Sequence, residues 1–123
     1  MKTGESAETY LETILVLGNT KGAVRSIDIA NELEYSKPSV SVAMKNLRET
    51  GHIVVDDDGH ISLTESGRDI AETMYRRHRI LSEFLTALGV DEKTAINDAC
   101  RIEHVISEQS FEKIRDHFMR LKG

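Results

Sequence analysis

A change in the spacing of apolar residues after Gly51 constrains the fold of this 123-residue chain more than any other feature. Before that glycine, apolar residues recur at helical intervals. After it, the β-like runs His52–Val55 and His60–Leu63 flank the polar segment Asp56–Gly59. An Asp-Gly pair between two such runs is typical of a tight β-hairpin. The sequence therefore predicts a group of helices followed by a hairpin.

Three helices are predicted ahead of the hairpin, because apolar residues recur there at three- and four-residue intervals. The first extends from Glu5 to Leu17. A short second helix has Ser26 as its predicted N-cap. The third begins after Ser36, with Pro38 in its first turn, where the missing N–H breaks no hydrogen bond. The predicted inward faces are Ala7, Tyr10, Ile14 and Leu17, then Ile27, Ala30 and Leu33, then Val40, Met44 and Leu47.

The second and third predicted helices are separated by only about three residues, which is the arrangement of a helix-turn-helix motif. The hairpin that follows makes this the winged variant of the motif. Residues 1–68 are therefore predicted to form a winged helix-turn-helix DNA-binding domain.

Three more amphipathic helices are predicted after the hairpin: Thr64–Leu88, Asp91–Ile106, and a last helix that begins at Ser107 or Ser110. The core of a single winged domain cannot bury the apolar faces of three more helices. Because helix-turn-helix proteins usually pair to read two half-sites, residues 69–123 are predicted to form a helical dimerisation layer. The predicted fold class is mainly α with a small β-hairpin. The predicted inward residues are Ile70, Met74, His78, Leu81, Leu85 and Leu88, then Ala95, Ala99, Ile102 and Ile106, then Phe111, Ile114, Phe118 and Leu121.

The polar face of the third predicted helix has the side chains expected of a DNA-reading surface. Its hydroxyl and amide groups suit base edges, and Val42 suits the methyl group of thymine. Lys45 and Arg48 are expected to meet phosphates, which position a protein without reading sequence. The alternative is a merely solvated polar face. The predicted DNA-contacting residues are Ser36, Lys37, Pro38, Ser39, Val42, Lys45, Asn46 and Arg48.

The net charge of −5 argues against a protein that binds nucleic acid by charge alone. It leaves a sequence-reading domain open, because only the docking face has to be basic. No apolar run approaches the ~20 residues that span a bilayer, and the first residues lack the apolar segment of a signal peptide. Cys100 is the only cysteine, so no disulfide framework is expected. These observations predict a cytoplasmic protein without a membrane partner.

Cys100, Glu103 and His104 are spaced so that a thiol, a carboxylate and an imidazole emerge on one side of a helix. These donors suit a first-row divalent ion such as Fe(II), Mn(II), Co(II), Ni(II) or Zn(II). His78, within an apolar stripe, is a candidate fourth ligand. The alternative is a buried free cysteine beside a surface Glu-His pair, with His78 as a hydrogen-bonded core residue. Glu12 is either solvated or faces the helical layer.

The chain has no features that indicate an enzyme. It lacks the zincin pair of histidines four residues apart, a glycine-rich phosphate loop, and any sign of an activated nucleophile. The run Asp56-Asp57-Asp58 is interpreted as the turn of the wing rather than as a cation site.

Four segments resemble the diphtheria-toxin-repressor family of iron- and manganese-dependent regulators. They occur in the family's order and spacing, and the resemblance covers essentially the whole chain. The resemblance includes no SH3-like third domain such as longer members have, as in the short, manganese-responsive branch. The four segments are S-K-P-S-V-S (Ser36–Ser41), L-T-E-S-G-R (Leu63–Arg68), R-R-H-R-I-L (Arg76–Leu81) and D-A-C-R-I-E-H-V-I-S (Asp98–Ser107).

The resemblance implies a set of metal ligands that mixes the patterns of two branches. Cys100 stands where iron-type members have cysteine, whereas Glu12 matches the manganese type. Thr9 stands where the family has methionine or aspartate, and Ser82 and Ile96 replace a carboxylate and a histidine of an ancillary iron site. The thiol favours Fe(II) and Glu12 favours Mn(II), so both ions stay open. The implied ligands are Glu12, His78, Cys100, Glu103 and His104.

The resemblance further implies a metal-dependent transcriptional repressor. It would be a homodimer that binds palindromic operator DNA when Fe(II) or Mn(II) is bound, and it would control metal-uptake genes. The metal would favour the DNA-competent state through its higher affinity for that state. One alternative is a winged-helix repressor that responds to an organic ligand or to oxidation of Cys100. A second alternative is a metalloenzyme or metal buffer.

Overall fold

The computed structural model describes residues 5–122 and confirms the predicted fold class, mainly α with one small hairpin. The chain divides into two compact units after Thr73, which lies inside the fourth helix, whereas sequence analysis placed the division after Arg68. No helix in the described part is both long and apolar enough to cross a membrane. The elements are α1 (Glu5–Lys21), α2 (Ser26–Leu33), α3 (Lys37–Glu49), β1 (Ile53–Val55), β2 (Ile61–Leu63), α4 (Glu65–Ala87), α5 (Glu92–Val105) and α6 (Glu108–Lys122).

The core of the first unit is built from one apolar face of each of its helices, closed at one side by the hairpin. The inward stripe predicted for α3 is confirmed, as Val40, Met44 and Leu47 are all buried. Ser36 is the N-cap of α3: its Oγ accepts a hydrogen bond of 3.3 Å from the Ser39 N–H. The buried core residues are Tyr10, Leu11, Ile14, Leu15, Val24, Ile29, Ala30, Val40, Met44, Leu47, Ile53, Ile61 and Ala71.

For α2 the predicted inward residues Ala30 and Leu33 are confirmed, but Ile27 and the cap were wrong. Ile29 is fully buried and Ile27 is 39% exposed, because residues two apart lie about 200° apart around a helix. The N-cap is Arg25 rather than Ser26, and its backbone N–H donates to Asp28 Oδ2 at 2.9 Å. Lys21 Nζ lies 2.6 Å from the other oxygen of Asp28 and joins the end of α1 to the start of α2.

The hairpin is confirmed, with each strand one residue shorter at its start than predicted. β1 and β2 are antiparallel, with Val54 opposite Ser62 in the register. At the tip, Asp56 Oδ1 accepts hydrogen bonds of 2.9 Å from the backbone N–H groups of Asp58 and His60. The side chain of Asp56, the first residue of the tip, therefore closes the turn.

Gly67 lies where the start of α4 crosses the start of β1. A Cβ atom at this position would overlap the carbonyl group of His52. The same carbonyl accepts a 3.1 Å hydrogen bond from the Thr64 N–H, and the Thr64 hydroxyl donates to the carbonyl of Gly51 at 2.7 Å. The wing and α4 are thus joined at a distance that only glycine allows.

The second unit packs the later part of α4 against α5 and α6. Its buried core contains Ile80, Leu81, Ala99, Phe111 and Phe118. Asp91 caps α5, accepting from the Thr94 N–H at 3.2 Å, and Ser107 Oγ accepts from the Ser110 N–H at 3.1 Å at the start of α6.

Two of the predicted inward residues in this unit were wrong. Leu88 is 64% exposed and Leu121 is 66% exposed. Leu88 follows the end of α4 and Leu121 lies in the last turn of α6, so both lie at helix ends beyond the packed core. The helical spacing of apolar residues in the sequence therefore extends beyond the residues that are packed in the core.

We expect the substitution Gly67→Ala to lower the free energy of unfolding by about 1–3 kcal/mol, the usual cost of forcing extra volume into a packed site. Urea denaturation followed by circular dichroism measures it. Gly18→Ala is the matched control, because this glycine lies inside α1 with open space around its Cβ position. The control should gain about 0.5–1 kcal/mol from the better helix propensity of alanine. Equal effects of the two substitutions would contradict the close approach at Gly67.

Candidate functional site

Two helices of the second unit bring a histidine and a carboxylate into contact. His78 Nδ1 on α4 lies 3.1 Å from Glu103 Oε2 on α5. Glu103 is only 2% exposed and is the one charged residue among the buried residues of the described chain. Removing a carboxylate from water costs several kcal/mol unless nearby groups compensate for it. A buried acid of this kind therefore requires a cationic partner.

Cys100 lies one turn before Glu103 on α5 and approaches the same imidazole nitrogen. Its Sγ atom is 3.7 Å from His78 Nδ1. The cysteine is exposed, so the predicted alternative of a buried free cysteine is wrong. The thiol thus lies at the rim of the cluster and the carboxylate lies inside it.

His104 contacts the other oxygen of the same carboxylate. His104 Nε2 lies 3.5 Å from Glu103 Oε1, and the histidine side chain is only 7% exposed. The two oxygens of Glu103 therefore face two different imidazoles, one from α4 and one from α5 itself. Four of the five predicted ligands, His78, Cys100, Glu103 and His104, form one cluster.

The electrostatics of this cluster favour a positive charge at its centre. Hydrogen bonds to Cys100 and to Glu103 raise the pKa of His78 to about 10, although burial alone would lower it. At neutral pH the imidazole is therefore protonated. This proton stabilises the fold fully below the unfolded pKa of about 6.5, and the stabilisation is lost as the pH rises through about 10.

The cluster fits a first-row divalent cation. The His78 nitrogen lies 3.1 Å from the Glu103 oxygen and 3.7 Å from the Cys100 sulfur. Adjacent ligands of an ion with bonds of about 2.0–2.3 Å lie about 3–4 Å apart, so the spacing agrees with shared coordination. A cation would also take the place of the imidazole proton as the charge that compensates Glu103. The donor set of sulfur, nitrogen and oxygen suits ions between the hard and soft extremes.

Glu12, the fifth predicted ligand, lies on α1 in the first unit. Its side chain is half-buried. Its role as a ligand stays a prediction from the resemblance.

A second group of potential ligands lies at the tip of the wing. Donor atoms of Asp56, Asp58 and His60 lie within 4.8 Å of one another. Backbone hydrogen bonds, that of His60 first, lower the pKa of Asp56, and Arg25 Nη2 lies 3.3 Å from the Nε2 atom of His60. The turn and the neighbouring arginine account for this arrangement, so the segment stays interpreted as the turn of the wing.

The predicted DNA-contacting residues share one exposed face, at the start and along the outer side of α3. Val42 is 60% exposed, although a valine normally lies inside a fold. The Ser36 hydroxyl donates to the Ser39 hydroxyl at 2.8 Å, so these two groups are paired with each other. The complete set, Ser36, Lys37, Pro38, Ser39, Val42, Lys45, Asn46 and Arg48, is exposed.

Sequence reasoning missed Arg77, whose guanidinium group contacts the backbone of α5. Arg77 Nη1 donates to the carbonyls of Glu103 and Ile106. These partners are 26 and 29 residues away, so no local spacing indicates the contact. The one feature of the sequence that could have indicated a role for Arg77 is its position next to the candidate ligand His78, in the segment Arg76–Leu81.

Two family models match the chain. Residues 2–61 match the iron dependent repressor N-terminal DNA binding domain, and residues 64–122 match the iron dependent repressor metal binding and dimerisation domain. Together the two matches include nearly all of the sequence.

Named relatives are similar over most of the chain. The HTH-type transcriptional regulator MntR of Lysinibacillus sphaericus is 34% identical over 111 residues, which are 90% of this chain and 80% of that protein. The MntR of Bacillus subtilis is 34% identical over 114 residues, with 93% and 80% covered.

Solved structures of manganese regulators are also similar to this chain. A manganese-dependent transcriptional repressor in complex with manganese matches with a TM-score of 0.82 and 29% identity, covering 90% of this chain and 51% of that one. The manganese regulator SloR matches with a TM-score of 0.81 and 27% identity, covering 98% and 55%. The chain thus spans about half the length of these two solved proteins.

We expect the raised pKa of His78 to depend on its two neighbours. Either Cys100→Ala or Glu103→Gln should lower the pKa from about 10 toward the ordinary value of 6.5, because the first removes a hydrogen bond to the charged imidazole and the second removes the negative charge that faces it. Titration of the His78 ring signals by NMR in metal-free protein measures the shift. Glu112→Gln is the control, since it removes an equal charge on α6 outside this cluster. An unchanged His78 titration in both site variants would contradict the geometry.

Proposed function

We infer the function of this chain from one premise: it belongs to the family of iron-dependent repressors, which are metal-responsive, DNA-binding regulators of transcription and not enzymes. On that premise we propose that it is a homodimer that represses metal-uptake genes when Fe(II) or Mn(II) is bound. The observation that carries the proposal is the Glu103 carboxylate, which is buried between two histidines beside a cysteine. We place the protein in the cytoplasm, where its DNA target lies.

The proposed metal ligands are the four clustered residues of the second unit together with Glu12 of α1. These residues would hold a divalent ion, which would supply the positive charge that the protonated imidazole of His78 provides in the metal-free protein. To bind through Nδ1, His78 would have to lose the proton on that atom, and the two oxygens of Glu103 face His78 and His104. The thiol favours Fe(II), whereas a carboxylate-rich set suits Mn(II). The proposed ligands are Glu12, His78, Cys100, Glu103 and His104.

The proposed DNA interface is the exposed face of α3, placed in the major groove. Exposed hydroxyl and amide groups there suit base edges, and Val42 suits a thymine methyl group. Lys45 and Arg48 supply phosphate contacts. A homodimer presents two such helices related by a two-fold axis, so the operator is expected to be palindromic. The face comprises Ser36, Lys37, Pro38, Ser39, Val42, Lys45, Asn46 and Arg48.

Control by the metal is proposed to be thermodynamic linkage. The proposed ligands belong to α1, α4 and α5, so the affinity for the ion depends on the arrangement that these helices adopt. Operator affinity rises by the ratio of the metal affinities of the DNA-competent and incompetent states, commonly ~5- to 150-fold. The amount of free metal in the cell then sets the degree of repression.

Two rival functions have less support. A regulator that senses an organic ligand, or one that responds through oxidation of Cys100, does not agree with a match to a metal binding and dimerisation domain over residues 64–122. A metalloenzyme does not agree with relatives that are transcriptional regulators.

We expect Fe(II) or Mn(II), added anaerobically at fixed salt, to tighten operator binding about tenfold or more. The operator is a duplex selected by the metal-loaded protein from a random pool, and fluorescence anisotropy measures its Kd with and without each ion. Glu103→Ala and His104→Ala should lose the metal response and keep the helical circular dichroism spectrum. Glu112→Ala, on α6, is the control and should respond normally. A wild-type Kd that neither ion changes would refute the proposed function.

We also expect the metal affinity to fall as the pH falls, because His78 is protonated below about 10 and has to lose its proton to bind. Each proton released makes the affinity change about tenfold per pH unit. Calorimetry in buffers with different ionisation enthalpies counts the protons. His78→Gln should release one proton fewer than the wild type, and a count that does not differ between the two would argue against His78 as a ligand.

A further inference from the structure

We infer that Arg77 is a positioning residue for the metal site, because its guanidinium group holds the end of α5 at a fixed place against α4. The inference rests on the proposed metal-binding function and adds a residue to it that binds no ion itself. It predicts that metal affinity depends on the shape of the Arg77 side chain as well as on the ligands.

The contacts of Arg77 join all three helices of the second unit. From α4, its Nη1 donates to the carbonyl oxygen of Glu103 at 3.1 Å and to that of Ile106 at 3.2 Å. Its Nη2 donates to Glu108 Oε2 at the start of α6, at 2.7 Å. The side chain is 11% exposed, and its guanidinium carbon lies 5.6 Å from the centre of the Phe111 ring. Hydrogen bonds and ring packing together hold the group in one orientation.

The carbonyl groups that Arg77 binds are those that a helix leaves unpaired. α5 ends at Val105, so the last carbonyls of the helix have no N–H group one turn further along. A cation at this end also interacts favourably with the helix dipole. Arg77 thus satisfies the end of α5 at the turn that carries Glu103 and His104.

Two consecutive residues of α4 hold the same residue of α5. Arg77 binds the backbone carbonyl of Glu103, while His78 contacts the side-chain carboxylate at 3.1 Å. The backbone contact fixes how far α5 is shifted along α4, and that shift sets the distance between the imidazole and the carboxylate. An ion requires its ligands to be placed within a few tenths of an ångström, so the backbone contact affects affinity.

Lysine cannot reproduce these contacts. The two terminal nitrogens of Arg77 donate to three acceptor oxygens. The guanidinium group is planar and rigid, whereas lysine has a single nitrogen on a flexible side chain. Arg77→Lys therefore keeps the charge beside the site and removes the geometry. The substitution separates a role in positioning from a role of charge alone.

The test measures Co(II) binding to the full chain, followed by the absorption that a cobalt-thiolate bond of Cys100 produces. We expect Arg77→Lys to bind Co(II) and Mn(II) about tenfold more weakly, in the range found when groups behind metal ligands are removed. Its cobalt-thiolate band should shift or weaken at saturating metal. Glu108→Gln removes only the negative charge of the exposed contact and should weaken metal binding about twofold. This second variant still tests the inference if Arg77→Lys does not fold.

Two controls separate positioning from general loss of stability. Ile114→Val trims the core of the second unit on α6, a helix that carries none of the proposed ligands, so it should lower the Tm and leave the Kd for Co(II) unchanged. Arg79→Lys changes an exposed arginine of α4 that lies near Tyr75, and it should leave both unchanged.

The result that would overturn the inference is wild-type Co(II) affinity with an unaltered band in both Arg77→Lys and Glu108→Gln. An affinity loss in Ile114→Val as large as that in Arg77→Lys at an equal drop in Tm would also overturn it. If the wild-type chain bound neither ion, the proposed metal function would fail, and the inference with it.

Discussion

The burial of the Glu103 carboxylate is the constraint on which the second unit depends. A negative charge with 2% exposure is stable only if positive charge and hydrogen bonds surround it. The chain supplies them from three directions: His78 at 3.1 Å, His104 at 3.5 Å, and Arg77 at the backbone carbonyl of the same residue. His78 and Arg77 lie on α4, so their contacts with Glu103 require α4 and α5 in one particular register, whereas His104 lies on α5 itself. The electrostatic requirement and the packing of the two helices therefore determine each other.

The first unit depends on shape rather than charge. Its core is entirely apolar, and the position of the wing follows from the close approach of Gly67 to His52. A packed scaffold of this kind supports the exposed outer side of α3, as the proposed DNA interface requires. The two units thus differ in what they present. One carries an exposed helix face on an apolar core, and the other gathers a charged cluster around a buried carboxylate.

The sequence predicted much of the fold because local signals agreed with one another. Pro38 indicated the start of α3, and Asp58-Gly59 indicated the turn of the hairpin. The predicted end of α1 at Leu17 was wrong, since the helix continues to Lys21 on exposed residues. In this last turn the Thr20 hydroxyl donates a hydrogen bond to the carbonyl of Val16. Such a contact cannot be recognised from the spacing of apolar residues.

The candidate cluster was predictable in composition but not in its geometry. The spacing of Cys100, Glu103 and His104 on one helix indicated three donors, and the place of His78 in an apolar stripe indicated a fourth. That Glu103 is the buried member and Cys100 the exposed one depends on how α4 lies on α5. The contacts of Arg77 bridge 26 and 29 residues, a separation at which helical periodicity carries no information.

The acidic tip of the wing has a consequence for how the protein approaches a duplex. Asp56, Asp57 and Asp58 are exposed, and backbone hydrogen bonds lower the pKa of Asp56, so this group stays ionised into acid. With the proposed interface on α3, we expect encounters that lead with the tip to meet repulsion from the polyanion, and those that lead with Lys37, Lys45 and Arg48 to be attracted. The tip is then expected to steer the collision, and its effect on the association rate to fade as added salt shortens the Debye length.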